Sequence, residues 1–153
     1  MRPLLIGVIG AGQASQKGLE TAYLVGQLLA ESGAVLVCGG LGGVMEAASR
    51  GCAEAGGQVL GILPGDRSQD ANPFVTIPVV TDMGHARNII IAQTSNALIA
   101  IEGEYGTLSE MAIALKLGKT VVTLDSWDTL DGGTLALNAA EAVTVALKAA
   151  GEL

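Results

Sequence analysis

Three glycine-rich turns carry the residues whose types and spacing suit chemistry. "GVIGAGQAS" (7–15), "CGGLGGVME" (38–46) and "EGEYGTLSE" (102–110) each close an apolar run and open a stretch of helical period. Without side chains, successive backbone N–H groups can approach an anion and add to the positive end of a helix dipole. That is chemistry for a phosphate. The candidate backbone donors are Gly10 and Gly12 in the first turn and Gly39, Gly40, Gly42 and Gly43 in the second. The third offers Gly103, Glu104, Tyr105, Gly106 and Thr107. The first turn reads G-x-G-x-x-S and lacks the third glycine of the dinucleotide fingerprint. "GGLGG" is costlier, at about 1 kcal/mol per glycine against alanine in regular structure, more than close packing alone asks for.

Charged groups beside these turns admit two readings each. Arg87 falls in the first turn of a helical stretch, where a cation meets the wrong end of the dipole and costs a few tenths of a kcal/mol unless an anion compensates. That anion is either a ligand or a carboxylate such as Asp82. Thr107 and Glu110 form T-x-x-E, a capping box worth about 1 kcal/mol; alternatively Glu110 is a carboxylate of the site. Glu104 reads as a solvated turn residue, a base or a hydrogen-bond acceptor. The dipole alone accounts for Glu46. His85, the only histidine, reads as a cap or surface group, and Met45 and Met83 as site walls or core. Cys38 and Cys52 have apolar neighbours, which indicates buried thiols in a reducing compartment and no metal site.

The elements that must position these groups alternate. Apolar runs at 4–10, 34–40, 58–64, 75–80, 97–103 and 120–125 are separated by helical patterns at 15–31, 43–55, 85–95, 107–117 and 138–150. Continuous rather than alternating apolar strands predict a mostly parallel sheet covered on both faces, the doubly wound, Rossmann-like α/β class. In such a sheet the carboxyl ends of the strands share one edge, so the three turns converge on it. The last helix has its own signals, Asn138 as cap with Glu141 three residues on, and a stop at Gly151. Two irregular stretches remain. "PGDRSQDANPF" (64–74) is a lid or an inert surface loop, and "DSWDTLDGG" (125–133), with the only Trp, can serve an interface.

With 153 residues, half of them apolar, the chain reads as one domain, 1–153, with one core. Aromatics are 3% and glycines number 22, so that core is built from Val, Ile, Leu and Ala packed close to backbone. A net charge of −7 argues against binding a nucleic-acid backbone. The opening "MRPLLIGVIGAG" is read as a strand and not a leader, because its apolar run is short and ends in a glycine turn. No run approaches the ~20 apolar residues of a membrane span, so a soluble, cytoplasmic protein is expected.

"GGLGGVMEAASRG", "TDMGHARNIII" and "GEYGTLSEMAIALKLGK" resemble the superfamily of Rossmann-like nucleotide-binding proteins that includes the Lonely Guy (LOG) phosphoribohydrolases, long labelled possible lysine decarboxylases. The chain is similar in particular to the small bacterial branch related to the DNA-processing protein Smf and to the molybdenum-cofactor carrier protein. In the LOG enzymes a P-G-G-x-G-T-x-x-E motif holds the 5′-phosphate of a nucleoside monophosphate. The resemblance implies that Gly103, Tyr105, Gly106 and Thr107 form the phosphate turn. It also implies that Arg87 and Glu110 are the catalytic pair of an N-glycosidic cleavage, with Met83 and Asn88 beside them. Glu102 stands where the motif has Pro, Glu104 where it has its second Gly, and Asn88 where Lys usually follows the Arg. The implied function is binding of an AMP-like nucleotide or a phosphorylated pterin cofactor, with no further cofactor required. The alternative is a phosphoribohydrolase. A homodimer packed through helices 43–55 and 107–117 is implied too. A DNA-processing role through the Smf relation fits poorly with the acidic charge.

Overall fold

In the computed structural model, which describes residues 2–128 and 130–151, the strands all run parallel in one seven-stranded sheet ordered β4-β3-β2-β1-β5-β6-β7. The strands are β1 (Leu5–Gly10), β2 (Val35–Cys38), β3 (Val59–Leu63), β4 (Ile77–Val80), β5 (Ala97–Ile101), β6 (Val121–Leu124) and β7 (Thr134–Leu135). The helices are α1 (Gln16–Glu31), α2 (Val44–Glu54), α3 (Arg87–Thr94), α4 (Tyr105–Lys116) and α5 (Ala139–Gly151). From β1 the chain winds outward through β2, β3 and β4. It then crosses back to lay β5 on the other flank of β1, with Ile6 opposite Ala97 and Gly10 opposite Ile101. The winding direction therefore reverses between β1 and β5, which is where an open α/β sheet offers a crevice to ligands.

Both faces of the sheet are covered, as the continuous apolar strands require. Every residue of β2, β5 and β6 is buried. On one face, α1, α2 and α5 close over Ile6, Val8, Leu36 and Ile99; on the other, α3 and α4 close over Ile9, Val37, Leu98 and Ala100. The side chains of α2 that turn inward are small, among them Ala48, Ser49 and Cys52, so the helix lies close against α1 and the sheet. Cys38 and Cys52 are both buried free thiols, and burial pushes Cys52 up to about 11. The expected cap of α5 is present: Glu141 N–H donates to Asn138 Oδ1 at 2.9 Å and Leu137 N–H donates to Glu141 Oε2 at 3.1 Å.

Some boundaries differ from the sequence reading. Helix α4 begins at Tyr105, two residues early, and α3 is preceded by a 3-10 turn over Gly84–Ala86. β7 is exposed and has no apolar run to announce it. The 64–74 stretch is pinned to the sheet edge. Asn72 N–H donates to Gly40 O at 2.8 Å and its amide to Leu41 O at 3.0 Å, while its Oδ1 accepts from Phe74 N–H. Within 125–133, Thr129 lies outside the described residues.

Candidate functional site

At the reversal point the carboxyl edge opens into a cleft of about 610 Å³. The β1 turn contributes Gly10 and Gly12, and the β2 turn Gly39. Arg87 and Asn88 enter from α3, and Glu104, Gly106, Thr107 and Glu110 from the start of α4. Gly40, Gly42, Gly43, Met83, Gly103 and Tyr105 lie outside its lining. Gly43, at φ 64, starts α2, and a Cβ there would run into the carbonyls of Ala11 and Gly12. Met83 is half exposed. Gln13, Leu41 and Pro64, which the sequence reading did not single out, line the cleft, as do His85 and Met45. Gln13 and Leu41 carried a signal in their places inside the first and second glycine turns, and Pro64 in opening the 64–74 stretch.

Helix α4 presents an open N-terminus to this cleft. Its N-cap is Glu104, and no side chain caps it. The first helical bond runs from Leu108 N–H to Glu104 O at 3.0 Å, which leaves the amides of the first turn without intrahelical acceptors. The helix starts early because Trp127 Nε1 donates to Glu104 O at 3.0 Å and its ring stacks on Tyr105 with centroids 6.0 Å apart. Thr107 is thus the third residue of the helix and not its cap. The capping-box reading of Glu110 does not hold.

Glu110 is instead a buried carboxyl in the cleft wall, 7% exposed. Among the described residues no donor reaches it within hydrogen-bond distance, and burial raises its pKa from 4.5 to about 7 against the opposing charge of Arg87. Arg87 is equally enclosed, at 8% exposure. It makes no ion pair with Asp82 or Glu110 within 4.0 Å; the ion pairs among the described residues are Lys17–Asp125 and Arg50–Glu54. Its guanidinium is oriented by acceptors at the strand ends, with Nε donating to Ile62 O at 2.9 Å and Nη2 to Gly39 O at 3.3 Å. Nη1 donates to Asn88 Oδ1. Asn88 Nδ2 donates onward to Ser109 Oγ at 3.3 Å, and Ser109 Oγ–H donates to Gly106 O at 2.6 Å. A chain of polar contacts therefore links the guanidinium to the α4 turn. Ser109 was not foreseen, because its part depends on α3 packing against α4.

The three acidic residues of the 102–110 segment occupy separate places. Glu110 is in the cleft wall, Glu104 is exposed at its rim, and Glu102 turns away to α1, where both carboxylate oxygens accept from Ser15. No described helix is long and apolar enough to cross a membrane.

A comparison with solved structures finds the molybdenum cofactor binding protein of Rippkaea orientalis at a TM-score of 0.91. It is 38% identical, and the match covers 97% of this chain and 98% of that one. The Moco carrier protein of Chlamydomonas reinhardtii matches at 0.90, with 35% identity over 99% of this chain and 100% of that one. DNA processing protein A of Streptococcus pneumoniae, at 0.74 and 19% identity over 93% and 61%, shares the fold alone. Among curated sequences, a protein of Archaeoglobus fulgidus without assigned function is 54% identical over 81% of this chain and 82% of its own. A cytokinin riboside 5′-monophosphate phosphoribohydrolase of Arabidopsis thaliana is 40% identical, but the match spans 48% of this chain and 33% of the enzyme. The family model described as the SLOG cluster4 family matches residues 3–149, and the chain belongs to that LOG-like family.

Proposed function

We propose that the cleft binds a small phosphorylated molecule, an AMP-like nucleotide or a phosphorylated pterin cofactor, with its phosphate at the N-terminus of α4. The observation that carries this reading is the pairing of an uncapped helix N-terminus with a buried, pre-oriented guanidinium in one wall. Both favour an anion. An anion at a helix N-terminus gains about 0.3–2 kcal/mol from the dipole, and Arg87 keeps N–H groups beyond those spent on Ile62, Gly39 and Asn88. The likeness to molybdenum cofactor binding and carrier proteins along nearly the whole chain supports a carrier. The phosphorylated pterin is then cargo, held through its phosphate. A homodimer belongs to the same reading, and light scattering tests it. Because α2 and α4 cover opposite faces of the sheet, a flat twofold contact uses one of them and not both.

A second reading, phosphoribohydrolase, has one observation in its favour: Glu110, buried in the cleft wall without a donor and titrating near neutrality. A carboxylate so placed can stabilise a developing ribosyl cation or take a proton from the attacking water. Water's oxygen then bonds to the anomeric carbon while the bond to the base breaks and the base leaves with the proton. Incubation with nucleoside monophosphates, assayed for ribose 5-phosphate while a thermal shift reports binding, separates the readings. A pterin cofactor belongs in the same panel. Binding without release supports the carrier, and release abolished by Glu110→Gln supports the hydrolase. Neither binding nor release removes both.

A further inference from the structure

Three helices, α1, α2 and α4, follow strands that end at the cleft, and their N-termini are not equivalent. α4 has no side-chain cap. α2 has none either, but its first amide, Val44 N–H, is spent on Ala11 O at 2.9 Å. α1 is closed. Its cap Ser15 accepts from Gly18 N–H at 3.0 Å and itself donates twice to Glu102, from N–H at 3.0 Å and from Oγ–H at 2.5 Å. Both oxygens of one carboxylate, 87 residues away in sequence, thus rest on the helix end where a dinucleotide fold places its pyrophosphate.

Two further features show that the carboxylate is fitted and not incidental. Glu102 holds a left-handed backbone, φ 54, which a glycine would adopt freely, so its side chain comes at a conformational cost. Gly18 faces it, and a Cβ on Gly18 would overlap the Glu102 carboxyl. The α1 turn therefore makes for Glu102 the space that such turns elsewhere make for a phosphate. Lys17, the cation of that turn, is paired with Asp125 at 3.2 Å, and the ion pairs among the described residues include none to Glu102.

Resting on the phosphate reading of the α4 turn, we propose that Glu102 is a built-in anion that determines specificity. By holding the N-terminus of α1 it admits ligands with a single phosphate at α4 and excludes the pyrophosphate of a dinucleotide.

Calorimetric titration of the unaltered protein, Glu102→Gln and Glu102→Ala with AMP and with ADP-ribose tests this, circular dichroism confirming that each is folded. AMP affinity should stay within about twofold across the three, since Glu102 lies outside the cleft lining. ADP-ribose should bind the unaltered protein more weakly than AMP and gain on the order of tenfold in Glu102→Ala, as the like-charge contact is relieved. If Glu102→Ala does not fold, Glu102→Gln carries the test, because it keeps an acceptor for Ser15 and drops the charge, and a gain of several-fold is expected. AMP binding with unchanged ADP-ribose affinity overturns the role of Glu102 alone. No AMP binding by the unaltered protein overturns the α4 reading and this proposal with it.

Discussion

Replacing Glu110 with Gln should stabilise the protein, and by an amount that grows with pH. Burial holds this carboxyl at about 7 instead of 4.5, although the charge of Arg87 pulls the other way. Burial wins because the guanidinium is more than 4.0 Å away, with its hydrogen bonds directed to Ile62, Gly39 and Asn88. Since the folded value lies above the unfolded one, the folded chain keeps a proton that the unfolded chain releases. The stability attached to it is complete below about 4.5 and is lost as pH rises through about 7. At roughly 1.36 kcal/mol per unit, the cost at about pH 8 is near 3 kcal/mol, out of the ~5–15 kcal/mol a domain usually has. Gln does not titrate. Urea unfolding of both proteins at about pH 4 and about pH 8 should therefore show the variant's relative stability rising by about 3 kcal/mol between the two, roughly 6–12 °C in Tm for a chain of this size. A constant offset from the buried amide cancels in that difference. A difference flat to within about 1 kcal/mol, or one that grows toward acid, would refute the reasoning.

Further predictions concern the groups around Glu110. Asn88→Ala breaks the contact chain from Arg87 to the α4 turn; AMP affinity should fall roughly 3–10-fold in a thermal-shift titration with the fold retained, the loss of about one hydrogen bond. Trp127→Phe removes the donor to Glu104 O and should cost about 1 kcal/mol in urea unfolding. In the unaltered protein this single Trp, stacked on Tyr105 at the start of α4, should change its emission on saturation with AMP, and a silent tryptophan would contradict the proposed phosphate site at that turn. Asn72→Ala removes the side-chain bonds to Leu41 O and from Phe74 N–H. Its urea midpoint should drop by the equivalent of about 1–2 kcal/mol, because the half-buried groups left behind lose their partners.

The parts of the fold legible in the sequence were those encoded locally. β2, β5 and β6 are buried throughout, so their apolar runs were continuous and parallel pairing followed. β7 is a two-residue exposed strand that pairs, among the described residues, with β6, and nothing local marks it. The start of α4 was misplaced because Thr107 and Glu110 imitate a capping box, whereas the real start depends on Trp127, 23 residues on. At the site, the glycine turns could be read because strand and helix signals flank them. The partners of Arg87 could not, since Ile62 O and Gly39 O are backbone atoms 25 and 48 residues away. The acidity of the 102–110 turn stayed opaque for the same reason. The bonds from Ser15 to Glu102 span 87 residues and exist only once β1 and β5 are paired.

The account stands on the capture of a phosphate by the first-turn amides of α4 together with Arg87, and calorimetric titration with AMP and adenosine side by side tests this most directly. AMP should bind and adenosine should bind at least tenfold more weakly, as loss of a charge-assisted contact set implies. Equal affinities, or adenosine the tighter of the two, would contradict it.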